Sequence, residues 1–147
     1  MSRNVRRLAC PPEAVFDVLA EGWLYPVWVV GAMRMRDVDR RWPEPGSRLH
    51  HSAGIWPVYL DDVTECREWD PPRRAVFRAK GRPIGEAAVA IEAKPVPGGC
   101  LVRIFEEPAG GPARLLPSFI RQPILHARNT ETLRRLAYLA EGRWEGR

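Results

Sequence analysis

The residues with chemistry to offer are few, and most lie on segments that alternate. His50 and His51 are neighbours in RLHHSAG, so on an extended chain they point to opposite faces. His51 shares its face with Leu49 and Ala53, which makes it the better candidate for an apolar interior. In LDDVTEC, Asp62 and Thr64 share a face with Leu60 and Cys66; in LVRIFEE, Glu106 shares a face with Val102 and Ile104. If those apolar faces turn inward, both carboxylates go with them. Burial then raises a carboxylate's pKa toward the range in which it serves as a general acid or base. If each lies at a sheet end instead, it meets solvent or an arginine. Arg78, in AVFRAKG, is either an inward cation that holds an oxyanion or carboxylate, or half of an outward salt bridge. Asn129 is the strongly polar member of an otherwise apolar helical stripe; buried, it needs a strand carbonyl or a bound ligand as partner.

Other chemistries find no support. Two adjacent strand histidines cannot chelate one metal, and His126 has no companion at ligand spacing, so no metal and no cofactor are expected. A Gly-rich phosphate loop, a nucleophile elbow and a Ser-His-Asp or Cys-His set are all missing. Cys10, Cys66 and Cys100 are scattered, with no Cys-x-x-Cys pair, and read as reduced thiols of a cytoplasmic protein. The net charge of +5 raises nucleic acid as a partner. The arginines, however, are dispersed among 18 acidic residues rather than gathered in a block, which argues against it. No apolar run reaches the roughly 18 residues that span a bilayer, and MSRNVRRLAC has no apolar core behind its basic residues. Neither membrane insertion nor a secretion signal is expected.

The elements that must position these residues follow from periodicity. The chain has 147 residues, 45% of them hydrophobic and 28% charged, a balance that suits one domain around one core. Residues 3–9 suit a first strand. Pro11 and Pro12 then open a helix in which Val15, Phe16, Val18 and Leu19 fall at helical spacing, with Gly22 as its stop. A second short helix is expected over about 23–30. From Ala32 the period changes to two, with strands near 32–39, 48–54, 57–69, 73–81, 84–95 and 99–107. The turns between them read WPEPGS, GIWP, WDPPR, GRP and PVPGG. Connections so short make antiparallel hairpins. Leu125, Asn129, Thr132, Leu133, Leu136 and Ala140 then form one stripe of a long helix. Ser118 is a plausible cap, but Pro123 places the start of the regular helix near Gln122.

This α+β order of strand, two short helices, six antiparallel strands and one long helix demands that the last helix bury its stripe against a curved sheet. The blocks PPEAVFDVLAEGWLYPVWVVGAMRMRDVDRRWPEPGSRLHH, DDVTECREWDPPRRAVFRAKGRPIGEA, EEPAGGPARLLP and RNTETLRRLAYLAE resemble the START/Bet v 1-like superfamily, also called SRPBCC. Within it they look like bacterial proteins described as polyketide cyclase/dehydrase-like. The resemblance runs from about Val5 to Arg143. It implies a helix-grip fold of about seven strands around the C-terminal helix, with an internal hydrophobic cavity. The superfamily has no shared catalytic motif, so its members' functions range from lipid and hormone binding to aromatase/cyclase activity and chaperone activation.

The leading expectation is a protein that binds a small hydrophobic, aromatic, lipid or polyketide-like molecule in that cavity. Trp23, Tyr25, Trp28 and Val29 would form its lid or mouth, unless they simply pack a short helix pair. Trp42 and Trp56, beside prolines in turns, could serve likewise. Thr64, Leu125, Asn129 and Leu133 would line the inner wall. The alternative is an aromatase/cyclase or dehydratase in which Asp62, Glu106 or His51 moves protons and Arg78 or Asn129 polarises a carbonyl. A third class, partner-protein binding, would use the arginines placed on the outer side of the last helix, Arg121, Arg128, Arg134 and Arg135, although a solvated face explains them as well. The sequence admits a monomer or a homodimer.

Overall fold

Alternation builds the sheet, and the computed structural model describes it over residues 2–30, 32–55, 58–81, 85–110, 115 and 117–145. The strands are β1 (Ser2–Leu8), β2 (Ala32–Val38), β3 (Arg48–Ile55), β4 (Val58–Asp70), β5 (Arg74–Gly81), β6 (Gly85–Val96) and β7 (Gly99–Gly110). They form one sheet in the order β1-β7-β6-β5-β4-β3-β2, and every neighbouring pair is antiparallel. The register slips between Cys66 and Glu68 on β4 and at two points along β2. Such extra residues bend a strand, and here they help the sheet curl around what it holds. Gly98, at φ +80°, makes the tight β6–β7 turn that the PVPGG stretch predicts.

Helix α1 (Pro12–Ala20) starts on a proline whose missing N–H would have had no helical partner. It buries Val15, Phe16, Val18 and Leu19 against the inner face of the sheet. The helix stops just ahead of Gly22, as the sequence predicts. It ends at Ala20, and Gly22 opens a 3-10 turn (Gly22–Leu24) that runs directly into α2 (Tyr25–Trp28). Glycine is required there for space: a Cβ would lie 2.5 Å from Leu49 Cδ2 and 2.9 Å from Val38 Cγ1. The turn and α2 together form the lid, whose helical part ends at Trp28, short of the expected Val30.

The long helix α3 spans Ser118–Glu145 and lays Asn129, Thr132, Leu133, Leu136, Ala137 and Ala140 on the sheet and α1. The prediction that Pro123 delays its start is wrong. The carbonyl of Pro117 accepts N–H bonds from both Ile120 and Arg121, each at 3.0 Å, so helical turns begin ahead of the proline. Ser118 is the first helical residue rather than a cap. Pro123 removes a bond only in these opening turns, where Phe119 and Ile124 are exposed and little packing depends on it. On the other side of the sheet edge, Asn4 of β1 donates to the His126 carbonyl at 3.0 Å and to Thr130 Oγ1 at 2.9 Å, tying the first strand to α3.

All three cysteines are free and buried. Two of them, far apart in the sequence, come close enough in space for each to influence the other: Cys10 and Cys100. Burial, with Cys100 and Glu141 nearby, pushes the Cys10 thiol up to about 12, and burial lifts Cys66 to about 11. Among the described residues no helix is long and apolar enough to cross a membrane.

Candidate functional site

Strand alternation turns His51, Asp62 and Thr64 to the inner face together. His51 pairs with Asp62 across β3 and β4, Leu49 pairs with Thr64, and all four side chains are buried. Thr64 Oγ1 is the hub, lying 2.8 Å from His51 Nε2 and 2.9 Å from the Tyr25 hydroxyl of α2. The Tyr25 ring stacks on the His51 imidazole, with centroids 5.2 Å apart, and meets the edge of Trp28 at 5.4 Å. Burial is the main cause that lowers the His51 pKa below its ordinary 6.5, opposed by Asp62 and aided by Arg36 and His50. Burial also raises the Tyr25 pKa. At neutral pH the row is therefore an uncharged phenol, a hydroxyl and a neutral imidazole. Groups in this spacing pass a proton along by exchanging donor and acceptor roles, with no movement of heavy atoms.

A second polar group comes from β7 and α3. Glu106, buried as the alternation in LVRIFEE permits, takes both carboxylate oxygens to Arg128 Nη1 at 3.0 Å each. Arg128 Nε donates to the Val30 carbonyl at 3.0 Å, and Thr132 Oγ1 accepts the Val30 N–H at 3.4 Å. The end of the lid is thus held to α3 through both of its backbone groups. Asn129, beside Arg128, is 2% exposed, and its Nδ2 has no hydrogen-bond partner.

Between these groups lies a cavity of about 40 Å³, walled by Tyr25, Trp28 and Val29 of the lid, Phe77, Val89 and Ile104 of the sheet, and Arg128, Asn129 and Thr132 of α3. Glu106 reaches it as well. The space is smaller than the sequence leads one to expect, because the Tyr25 and Trp28 rings fold inward and occupy it. It admits a group of one or two heavy atoms, whereas pockets for drug-sized ligands measure about 300–1,000 Å³. A larger hollow of about 350 Å³ lies on the outer face, between Arg74, Val76, Ala88, Ala90 and Phe105. It opens to solvent, Arg74 and Glu92 pair along it at 2.7 Å, and no described buried polar atom without a partner lines it.

The sequence-derived candidates divide accordingly. Tyr25, Trp28, Val29, Glu106 and Asn129 come together at the inner cavity, with Thr64 and His51 one contact behind Tyr25. Asp62 is buried beside His51 and accepts the Val63 N–H at 3.0 Å through Oδ1. Leu133 packs in the core and Leu125 is half-buried. Arg78 is not an inward cation. With Phe77 inward, alternation sends Arg78 outward, where Nε meets Glu86 at 2.6 Å. Trp23 is 56% exposed and does not reach the cavity. Trp42 is partly buried and packs against the core instead, stacked on Phe77 at 5.6 Å and donating to the Leu19 carbonyl at 3.1 Å. Trp56 lies outside the described residues.

Arg128 is the site residue that sequence reasoning misplaces, by assigning it to the outer side of α3. The signal was present: it stands three residues after Leu125 and four before Thr132, at the margin of the inward stripe. Arg134 and Arg135, by contrast, do lie outward and share Glu131, at 2.8 and 3.0 Å. No group of three His, Cys, Asp or Glu side chains among the described residues could hold a metal ion.

No family model matches the chain. It is 30% identical to the uncharacterized protein Rv2574 of Mycobacterium tuberculosis over 97% of its own length and 85% of that protein's, and belongs to the same family. Among solved structures, Ara h 8.0201 superposes with a TM-score of 0.68 at 13% identity, over 93% of this chain and 95% of that one. The di-domain ARO/CYC protein StfQ, from the steffimycin biosynthetic pathway, superposes at 0.71 and 15% identity, over 99% of this chain and 46% of its own length. The chain shares their fold. Its seven-stranded sheet, two short helices after β1 and long last helix are a helix-grip architecture, and the inner cavity lies where sheet, lid and last helix meet.

Proposed function

We propose that this protein, an SRPBCC member acting as a single cytoplasmic domain, binds a small hydrophobic molecule between lid, sheet and α3. The observation that carries the reading is the inner cavity itself: an apolar space flanked by buried Glu106 and Asn129 and by Arg128, which Glu106 holds through an ion pair. A fully apolar core would bury none of these, since each costs free energy unless paired. Binding a ring-sized ligand would displace Tyr25 and Trp28 and break the two hydrogen bonds that hold Val30. Apolar burial, at about 25 cal/mol per Å², would supply most of the affinity.

Native mass spectrometry of freshly purified protein tests this. A mass excess that disappears on denaturation is expected, and it should be absent from a folded Val89→Phe variant, whose larger ring fills the cavity. An adduct that persists in that variant would place the ligand elsewhere. A protein that stays free of adduct when exposed to a lysate extract or a panel of aromatic, lipid and polyketide-like molecules would sink the reading.

A second reading is favoured by the Tyr25–Thr64–His51 row, which suits proton transfer to or from a bound carbonyl compound, as an aromatase/cyclase or dehydratase acting on a poly-β-keto chain requires. Turnover of a model poly-β-keto substrate that survives both His51→Ala and Tyr25→Phe would remove it.

A further inference from the structure

Resting on the cavity reading, we infer that the molecule bound there carries an uncharged hydrogen-bond acceptor, a ketone, aldehyde or ester carbonyl, which Asn129 Nδ2 engages. Asn129 is 2% exposed, faces the cavity and leaves Nδ2 without a partner. An amide NH₂ can only donate, so what it lacks is an acceptor oxygen. Buried donors are rarely left unmade in folded proteins, and where one faces a cavity the missing acceptor belongs to whatever occupies that space.

The other groups around the cavity decide the charge. Glu106 and Arg128 neutralise one another, with both carboxylate oxygens on Nη1, while Nε is committed to the Val30 carbonyl. A ligand carboxylate at Arg128 would lie beside Glu106 and face it as a like charge. A ligand ammonium would meet the same repulsion from Arg128. A carbonyl disturbs neither partner. The cavity of about 40 Å³ borders Asn129, while Nδ2 itself is closed to water as long as the lid is seated, so the acceptor reaches it as the lid is displaced. Nδ2 thereby fixes which end of the molecule enters.

The test is a titration of the full chain, followed by amide and Asn side-chain NMR shifts, with three probes of similar shape: acetophenone, ethylbenzene and phenylacetate. Acetophenone should bind about tenfold more tightly than ethylbenzene, the usual value of one hydrogen bond in a site built to make it. The Asn129 NH₂ resonances should shift with acetophenone and not with ethylbenzene. In Asn129→Leu the preference should vanish while ethylbenzene still binds; Asn129→Ala provides the same comparison if the leucine variant does not fold. Equal binding of acetophenone and ethylbenzene to the wild type would overturn this inference and leave the cavity reading intact. Tighter binding of phenylacetate than of acetophenone would overturn the uncharged assignment. Failure of all three to shift cavity residues would overturn the cavity reading and this inference with it.

Discussion

The two faces of the sheet carry hollows of opposite character. The outer one is the larger, at about 350 Å³, yet its charged residues are half-exposed and Arg74 and Glu92 pair along it. The inner one is about 40 Å³, yet it gathers a buried carboxylate, a guanidinium and an amide with an unpartnered nitrogen. Volume alone would choose the outer side. What marks a site is polar chemistry kept where it is costly to keep, because in the interior an unmade hydrogen bond or an unpaired charge is not compensated by water.

The comparison can be broken by stability measurements. Glu106→Ala should cost about 2 kcal/mol in chemical denaturation, since it removes a buried carboxylate's hydrogen bonds to Arg128 and loosens the hold on Val30, while the stranded guanidinium, about one-third exposed, is partly solvated. Replacing both residues by leucine should cost less than the single change. Thr64→Val keeps the shape of the hub but strips the hydroxyl from both Tyr25 and His51, and about 2 kcal/mol should be lost. His51 offers a pH test. Because its pKa in the folded protein lies below 6.5, its contribution is complete above that pH and is lost as pH falls through the lower folded value. Between pH 7.5 and 5.5 the wild type should therefore lose more thermal stability than His51→Gln, with Asp62, Arg36, His50 and Tyr25 unchanged around it. A wild type and variant that melt in parallel across that range would remove the buried imidazole from the explanation. On the outer face, Glu92→Ala should cost at most about 0.5 kcal/mol, as exposed pairs do. A loss there as large as that of Glu106→Ala would erase the distinction between the faces.

Much of this architecture was legible because strand alternation is a strong signal. Val102, Ile104 and Glu106 fall on one face in the sequence and turn inward together in the fold. The same rule placed His51 inside and His50 outside, where it meets Asp39 at 3.0 Å. Partners were not legible. Nothing local says that Glu106 of a strand will meet Arg128 of a helix, or that Cys10 will lie near Cys100, because those meetings depend on how the sheet curls. Pro123 misleads for a different reason: in the sequence it reads as a helix breaker, and nothing local shows that Pro117 supplies the first accepting carbonyl. The cavity's size depends on the rotamers of Tyr25 and Trp28, which composition does not encode.

The grip of α3 on Val30 has a consequence for measurement. Its N–H is held by Thr132 and its carbonyl by Arg128, so the amide proton is shielded only while the lid stays seated. Its exchange with deuterium oxide therefore counts lid openings in the empty protein, and the protection factor converts directly into the free energy of opening. That quantity bounds how much of any ligand's intrinsic affinity is spent on gaining entry, and it can be known before the ligand is.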